Sequence, residues 1–289
     1  MSSHWNKDDM MTIERYLDIN MHYQPGKNNN QTGKNRREMT VKLCARFNIV
    51  DPILIAWLYG VSHRRALEHL NNLANKEGLL ICVHTIRAPT GRVYTLSYQG
   101  ANYARQLLSI PVIFRKTAKP SLQINQNAVI HNLQNAYILM RGIHHYDAEG
   151  RHAPMWDGLV SEPEFCRIYA SNSIRNVDGL VRESGHNKTI CGVEMENSFK
   201  TKATRNTILL RYLYSLKQGH YEKVFLVSQS HDILKDIRRF HTQLFDELTT
   251  AYNKKTKQPF ITTHDADLLQ QRIIYRSKFC DELQKLFYP

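Results

Sequence analysis

The chain has 289 residues, 42% of them hydrophobic, enough for one large domain or two ordinary ones with a substantial core. Its 39 Lys and Arg against 26 Asp and Glu leave a formal charge of +13, an excess that points to nucleic acid or an anionic membrane. Pattern excludes a membrane span: the longest apolar stretch, Phe47 to Val61, is broken by Asp51 and Pro52 and falls short of the roughly 18–20 residues a bilayer-crossing helix needs.

The first ten residues, MSSHWNKDDM, have no apolar run after a basic start, so no signal peptide is expected. The five cysteines (Cys44, Cys82, Cys166, Cys191, Cys280) are odd in number, far apart and without a CxxC. This argues against a disulfide framework or a cysteine-rich zinc module and leads to the expectation of a cytoplasmic protein. Residues 1–120 carry 17 basic and 8 acidic side chains and residues 121–289 carry 22 and 18, so the front of the chain holds most of the surplus. Two units with different tasks are expected.

A short helix is predicted from Asp8 to Ile19. The polar segment PGKNNNQTGKNRR after it has no apolar periodicity, so residues 1–37 read as a flexible basic arm. The segment narrowly misses a phosphate-binding loop: Gly26 and Gly33 are two residues too far apart, and Asn35 stands where Ser or Thr is required. Residues 38–48 predict a helix with Met39, Leu43, Ala45 and Phe47 inward. Residues 51–59 predict a second, opened by Pro52 and ended by Gly60. Ser62 caps a third, with Ala66, Leu70, Leu73 and Ala74 as its apolar stripe and Gly78 as its C-cap. Two strand-like runs, LLICVHTI and RVYTLS, flank the turn APTG, and a helix from Gln99 to Leu108 follows.

Helix, helix, helix, strand, turn, strand is the order of a winged helix-turn-helix, expected over residues 38–110. In that fold the third helix enters the major groove and the hairpin turn lies along phosphates. The DNA-contacting candidates are Ser62, His63, Arg64 and Arg65 at the start of the third helix, and Arg87 and Arg92 beside the turn. The bland alternatives are solvated basic residues or a protein-docking module. Residues 111–126 read as a linker.

From residue 127 the pattern is αβ-like. Helices are expected over 127–140, from Ser161, over 201–218 and over 231–248. Strands are expected over 174–182, 189–197, 223–229 and in PFITT, with a basic loop NKKTKQP before the last and a long helix over 265–287 at the end. The stretch GIHHYDAEGRHAPMWDG reads as a loop.

Acids in this second unit are few. Asp178 lies in IRNVDGLV, and Glu194 and Glu196 lie in CGVEMENS. Residues two apart on a strand share a face, so Glu194 and Glu196 point to one side. A covered sheet tolerates such acids only when charge compensates them, and oxygen ligands there favour Mg²⁺ or Mn²⁺. Lys200, four residues after Glu196, can return its ammonium towards the carboxylates, with Lys188 and Lys202 as substitutes. Asp, Glu, Glu and Lys on such a core are the toolkit of metal-assisted phosphodiester cleavage. Glu162 and Glu164 open a helix at SEPE. Glu164 is explained as the partner of Ser161 in a capping box, and Glu162 is left as a candidate metal ligand. His144, His145 and His152 sit in a polar loop without the spacing of a zinc site. Asp265 and Asp267 read as caps of the last helix, and Arg238, Arg239, Lys254, Lys255 and Lys257 as solvated. No tyrosine can be assigned as a nucleophile, because no His-x-His pair accompanies the fifteen present.

At these residues the sequence resembles the PD-(D/E)XK nuclease superfamily, in which an Asp at a strand end precedes Asp/Glu-x-Lys on the hairpin partner. Asp178 matches the first acid and Glu194, sixteen residues on, the second. The departure is Glu196, which stands where the family has Lys. More specifically the chain resembles replication-relaxation proteins, among them MobC-type relaxases, which pair an N-terminal winged helix with such a core. The matching features are Trp156, then Ser161-Glu162, Asp178-Gly179, and Glu194 to Lys200, across roughly residues 38–230.

The resemblance implies a fold of α/β (α+β) class: a winged helix-turn-helix, then a PD-(D/E)XK-like core with a mixed central sheet over residues 127–289. It implies an Mg²⁺- or Mn²⁺-dependent, site- and strand-specific DNA endonuclease nicking supercoiled DNA at a transfer origin. Its partners would be a type IV coupling protein and relaxosome accessory proteins. Asp178, Glu194, Glu196 and Lys200 would be catalytic and Glu162, Asp178 and Glu194 the metal ligands. Two rival readings stay open: a non-enzymatic plasmid regulator with a degenerate nuclease fold, supported by Glu196, and a restriction-type enzyme cutting both strands.

Overall fold

A computed structural model describes residues 13–112, 114, 119, 122, 124–169, 174–252 and 259–288. Helix α1 (Asn29–Phe47) begins at Asn28, whose side chain accepts the Gln31 N–H at 2.9 Å. α2 (Pro52–Tyr59) is capped by Asp51 and ended by Gly60 at φ +60°, a left-handed conformation that suits glycine. α3 (His63–Asn75) starts at the Ser62 cap and buries Ala66, Leu70 and Leu73. β1 (Leu80–His84) and β2 (Arg92–Leu96) form an antiparallel hairpin, to which Val50 adds a single bridge at Tyr94. α4 (Tyr98–Leu108) follows, capped by Ser97.

The remainder is a mixed five-stranded sheet with helices. α5 (Val129–Ile143) leads to β3 (Trp156–Ser161), α6 (Glu162–Ile168), β4 (Gly179–Glu183), β5 (Ile190–Met195) and α7 (Lys202–Lys217). Then come β6 (Lys223–Val227), α8 (His231–Thr250), α9 (Thr263–Arg272), β7 (Ile273–Tyr275) and α10 (Lys278–Phe287). The sheet order is β3-β4-β5-β6-β7. β3–β4 and β4–β5 are antiparallel, while β5–β6 and β6–β7 are parallel. A parallel neighbour requires a crossover, and α7 supplies it between β5 and β6. The protein is therefore mixed α/β, and among its described residues no helix is long and apolar enough to cross a membrane.

Several sequence expectations are corrected. From residue 13 on, the expected arm over 1–37 is ordered structure: residues 13–17 are helical, Ile13, Tyr16, Leu17, Met21 and Tyr23 are buried, and α1 starts nine residues before the predicted 38. Residues 1–12, where the helix from Asp8 was to begin, lie outside the described residues. The first ten residues of α1 carry no apolar side chain, so periodicity cannot reveal them. The Asn28 cap and a Gln31–Asn35 side-chain hydrogen bond of 2.7 Å support them instead. α3 ends at Lys76, not at Gly78, whose φ of +65° turns the chain towards β1. Strand β3 falls in part of the sequence expected to be loop. From Gly158 onward it is covered on both faces and so shows no alternation, and a Cβ on Gly158 would lie 2.3 Å from the Leu17 carbonyl oxygen.

The hairpin strands are shorter than expected, Gly179–Glu183 and Ile190–Met195. PFITT is no strand; only Pro259 bridges to Tyr252, and Thr262 caps α9. The single helix over 265–287 is two helices around β7, where Ile273, Ile274 and Tyr275 suit a strand. Asp265 does cap, as the third residue of a capping box with Thr262, while Asp267 does not. Of the expected linker, residues 113, 115–118, 120, 121 and 123 lie outside the described residues, and Val112 and Ile124 are buried. Lys254, Lys255 and Lys257 also fall outside them.

The front helices and the sheet share one hydrophobic core. Between them Arg46, fully buried on α1, donates to both oxygens of Glu164 at 2.9 and 2.8 Å and to the carbonyls of Leu159 (2.7 Å) and Tyr16 (3.2 Å). Glu164 also accepts the Ser161 N–H at 2.8 Å, so the capping box expected at SEPE is present and its acid has a second partner.

Candidate functional site

The β4–β5 ladder pairs Gly179 with Val193, which sets Asp178 and Glu194 opposite one another just beyond it. Asp178 is nearly buried and held on three sides. Its Oδ2 accepts the Met195 N–H at 2.6 Å, its carbonyl accepts Asn135 Nδ2 at 2.6 Å, and its Oδ1 lies 3.1 Å from His131 Nε2. Asn135 and His131 are one turn apart on α5, so a single helix face orients both the backbone and the carboxylate. Glu162, at the first position of α6, completes the cluster: one ligand atom each from His131, Glu162 and Asp178 lie within 4.8 Å of one another.

Electrostatics follow from this crowding. Burial alone would lower the His131 pKa, but the hydrogen bond and charge of Asp178, aided by Glu162 and Glu194, override it and raise it to about 8. Burial and then the Asp178 charge push Glu162 upward, against His131 and Arg175. Glu194 is 2% exposed, and burial followed by the Asp178 charge pushes it up while Arg175 opposes. Its Oε1 is engaged by Arg175 Nη2, and its Oε2 has no hydrogen-bond partner among the described residues.

The remaining predicted groups divide. Glu196, 1% exposed, is enclosed by two cations: Lys200 Nζ reaches its oxygens at 2.6 and 2.5 Å, and Arg205 Nη1 at 3.0 Å. Lys200 thus does return to a carboxylate, but that carboxylate is Glu196. The cation engaged with Glu194, the acid opposite Asp178, is Arg175. Lys188 lies in the turn at the other end of the hairpin, and Lys202 pairs with Glu247. Of the residues expected from sequence as metal ligands (Glu162, Asp178, Glu194), Glu162 and Asp178 come together with His131, while Glu194 lies outside that group and carries a guanidinium. Nothing in sequence could have found His131. Its link to Asp178 spans 47 residues and depends on how α5 lies on the sheet.

The donors suit a divalent cation. Two clustered carboxylates and one imidazole form a mixed oxygen–nitrogen set, which favours Mn²⁺ over Mg²⁺, where oxygen ligands alone would not. His144, His145 and His152 form no such group. Each spends a ring nitrogen on a backbone group, and the His152 ring stacks on His22 at 3.8 Å.

Among the predicted DNA contacts, Ser62, His63, Arg64 and Arg65 are exposed at the start of α3. Ser62 Oγ accepts the Arg65 N–H at 3.4 Å, and Arg64 pairs with Glu68 at 2.9 Å. Arg87 is exposed and Arg92 half-buried beside the β1–β2 turn, where Ile86 is 97% exposed.

No protein-family model, curated protein or solved structure matches this chain.

Proposed function

We propose that the protein is a metal-dependent DNA endonuclease that nicks one strand at a specific site. One observation carries the reading: Asp178, opposite Glu194 at the end of a β-hairpin, meets Glu162 and His131 within 4.8 Å in a protein of charge +13. Topology supports a PD-(D/E)XK-like core, since three antiparallel strands are followed by a crossover helix and a parallel strand. Three helices, a basic hairpin and the Val50–Tyr94 bridge support a winged helix in front of it.

Asp178, Glu162 and His131 would hold Mn²⁺ or Mg²⁺, with Glu194 Oε2 as a further ligand. Such an ion polarises a phosphoryl oxygen and lowers the pKa of bound water. The Met195 N–H and Asn135 fix Asp178 before any ligand arrives. Arg175 supplies positive charge beside the site, the role Lys200 was expected to fill, and can stabilise charge developing on a phosphate. Exposed Arg64 and Arg65 would read base edges, and Arg87 and Arg92 would hold phosphates. The resemblance to MobC-type relaxases extends the proposal to a transfer origin, a relaxosome and a type IV coupling protein, in the cytoplasm.

The test is cleavage of supercoiled origin-region DNA with Mn²⁺ and with chelator. Open circles from the wild type, and none from Asp178→Ala at near-normal DNA affinity, support nicking; linear product indicates a restriction-type enzyme. A second reading has its own observation. Arg175 already neutralises Glu194, and Glu196 is locked between Lys200 and Arg205, as expected of a DNA-binding regulator with a retired nuclease core. Absence of any nicking in the same assay favours it.

A further inference from the structure

A cleft of about 410 Å³ lies between the front helices and the C-terminal end of α5. Its walls include Tyr23, Arg36, Trp57, Tyr59, His144 and Tyr146. The aromatic groups are fixed by packing: Trp57 meets Tyr137 edge-on at 4.7 Å, Tyr23 and Tyr59 lie 4.6 Å apart, and the Tyr59 hydroxyl bonds Thr40 at 2.7 Å. Arg36 donates Nε to the Tyr23 hydroxyl at 3.2 Å and lies over the Tyr59 ring, 5.5 Å from its centre. His144, half-buried and beside His22 and His152, is pushed down to about 4 and so brings no charge at neutral pH.

These walls select among ligands. Aromatic faces take a flat π-system or a cation, but the guanidinium of Arg36 repels a cation. The same guanidinium matches a phosphate in a fork of two donors. The volume is within the range of small-molecule sites. The cleft is also remote from the acidic cluster: thirteen residues of α5 and its cap separate His131 from His144, about 20 Å at 1.5 Å per residue.

We propose that this cleft binds a single unpaired nucleotide, its base stacked between Trp57 and Tyr146 and its phosphate on Arg36. The nucleotide is either free or one unit of a single strand, and the proposal does not depend on cleavage. Full-length protein in chelator is titrated with deoxyadenosine monophosphate by calorimetry and with a fluorescent oligothymidylate by anisotropy. Arg36→Gln and Tyr146→Ala should each weaken binding about tenfold or more, and deoxyribose 5-phosphate should not bind. Tyr146 is 49% exposed, so truncating it costs the fold little and keeps the test sound. Loss with both probes, or with the oligonucleotide alone, identifies a strand; loss with the mononucleotide alone identifies a free nucleotide. Absence of any effect of either variant on either probe overturns the site.

Discussion

Arg175 engages Glu194 Oε1 directly opposite the point where Asp178 meets His131, so the second acid of the hairpin is balanced by a guanidinium from the preceding loop. Two devices can neutralise a carboxylate with so little solvent access: a protein cation or a metal ion. They compete for one group. Removing the guanidinium should therefore make the protein less stable without metal and more responsive to it. For Arg175→Gln the expected outcome is a lower melting temperature in chelator and a larger rise on adding Mn²⁺ than in wild type. At a hundredfold excess over Kd, binding is worth about 2.7 kcal/mol of stability. Equal Mn²⁺ shifts in the two proteins would remove Glu194 from the ligand set.

The proposed ligands make a separate prediction. His131→Ala and Glu162→Gln should each reduce Mn²⁺ affinity by ~10-fold or more, at least what outer-shell partners contribute. Glu196→Gln should leave Mn²⁺ affinity unchanged, because its carboxylate serves Lys200 and Arg205. Calorimetric titration reads all three, and a metal affinity that follows Glu196 but not His131 would relocate the centre.

Arg64 and Arg65 are exposed on α3, so truncating them costs the fold little. Arg64→Ala or Arg65→Ala should weaken specific DNA binding by ~1–3 kcal/mol for a base contact, or flatten its salt dependence for a phosphate contact. Unaltered affinity and salt slope in both variants would move recognition away from this helix.

The Arg46–Glu164 pair is the buried link between the front helices and the sheet. Glu164→Ala would leave a guanidinium buried without its counter-charge, and the loss should be about 3–5 kcal/mol in denaturant unfolding. Arg46→Met combined with Glu164→Gln should be less damaging than Glu164→Ala alone, since no buried charge is stranded. A loss below ~1 kcal/mol for Glu164→Ala would mean that water reaches the pair.

Asp51 caps α2 from a fully buried position, its Oδ1 accepting the Leu54 N–H at 2.8 Å. Burial raises its pKa to about 7, against the lowering effect of the Leu54 and Ile53 amides. An acid whose folded pKa lies above its unfolded value penalises the folded state increasingly as pH rises from about 4 to about 7, and the penalty is complete above that. Asn caps equally well and carries no charge. Asp51→Asn should therefore raise the melting temperature at pH 8, with the gain fading as pH falls towards 4. A pH-independent difference would show that Asp51 titrates normally.

Much of the fold was legible locally. The caps Asp51 and Ser62, the breaker Gly60 and the stripe Ala66–Leu70–Leu73 are properties of neighbouring residues, and α2 and α3 follow from them. The polar start of α1, the doubly covered β3 and the three-residue β7 were not, because burial on both faces or on neither erases the periodicity from which elements are read. At the site, Asp178, Glu194, Glu196 and Lys200 stand out by chemical type, but the Glu196–Lys200 contact is made across an irregular segment before α7 and not by a helical turn.

Composition and local order thus determined the basic character, the helical caps, the hairpin and its acids. Which acid meets which partner was decided only when the chain folded. α5 brings His131 to Asp178 across 47 residues, Arg175 reaches Glu194 from the loop before β4, and α1 delivers Arg46 to Glu164 across 118. Charge pairing acts over a few ångströms of space, whatever the separation along the chain.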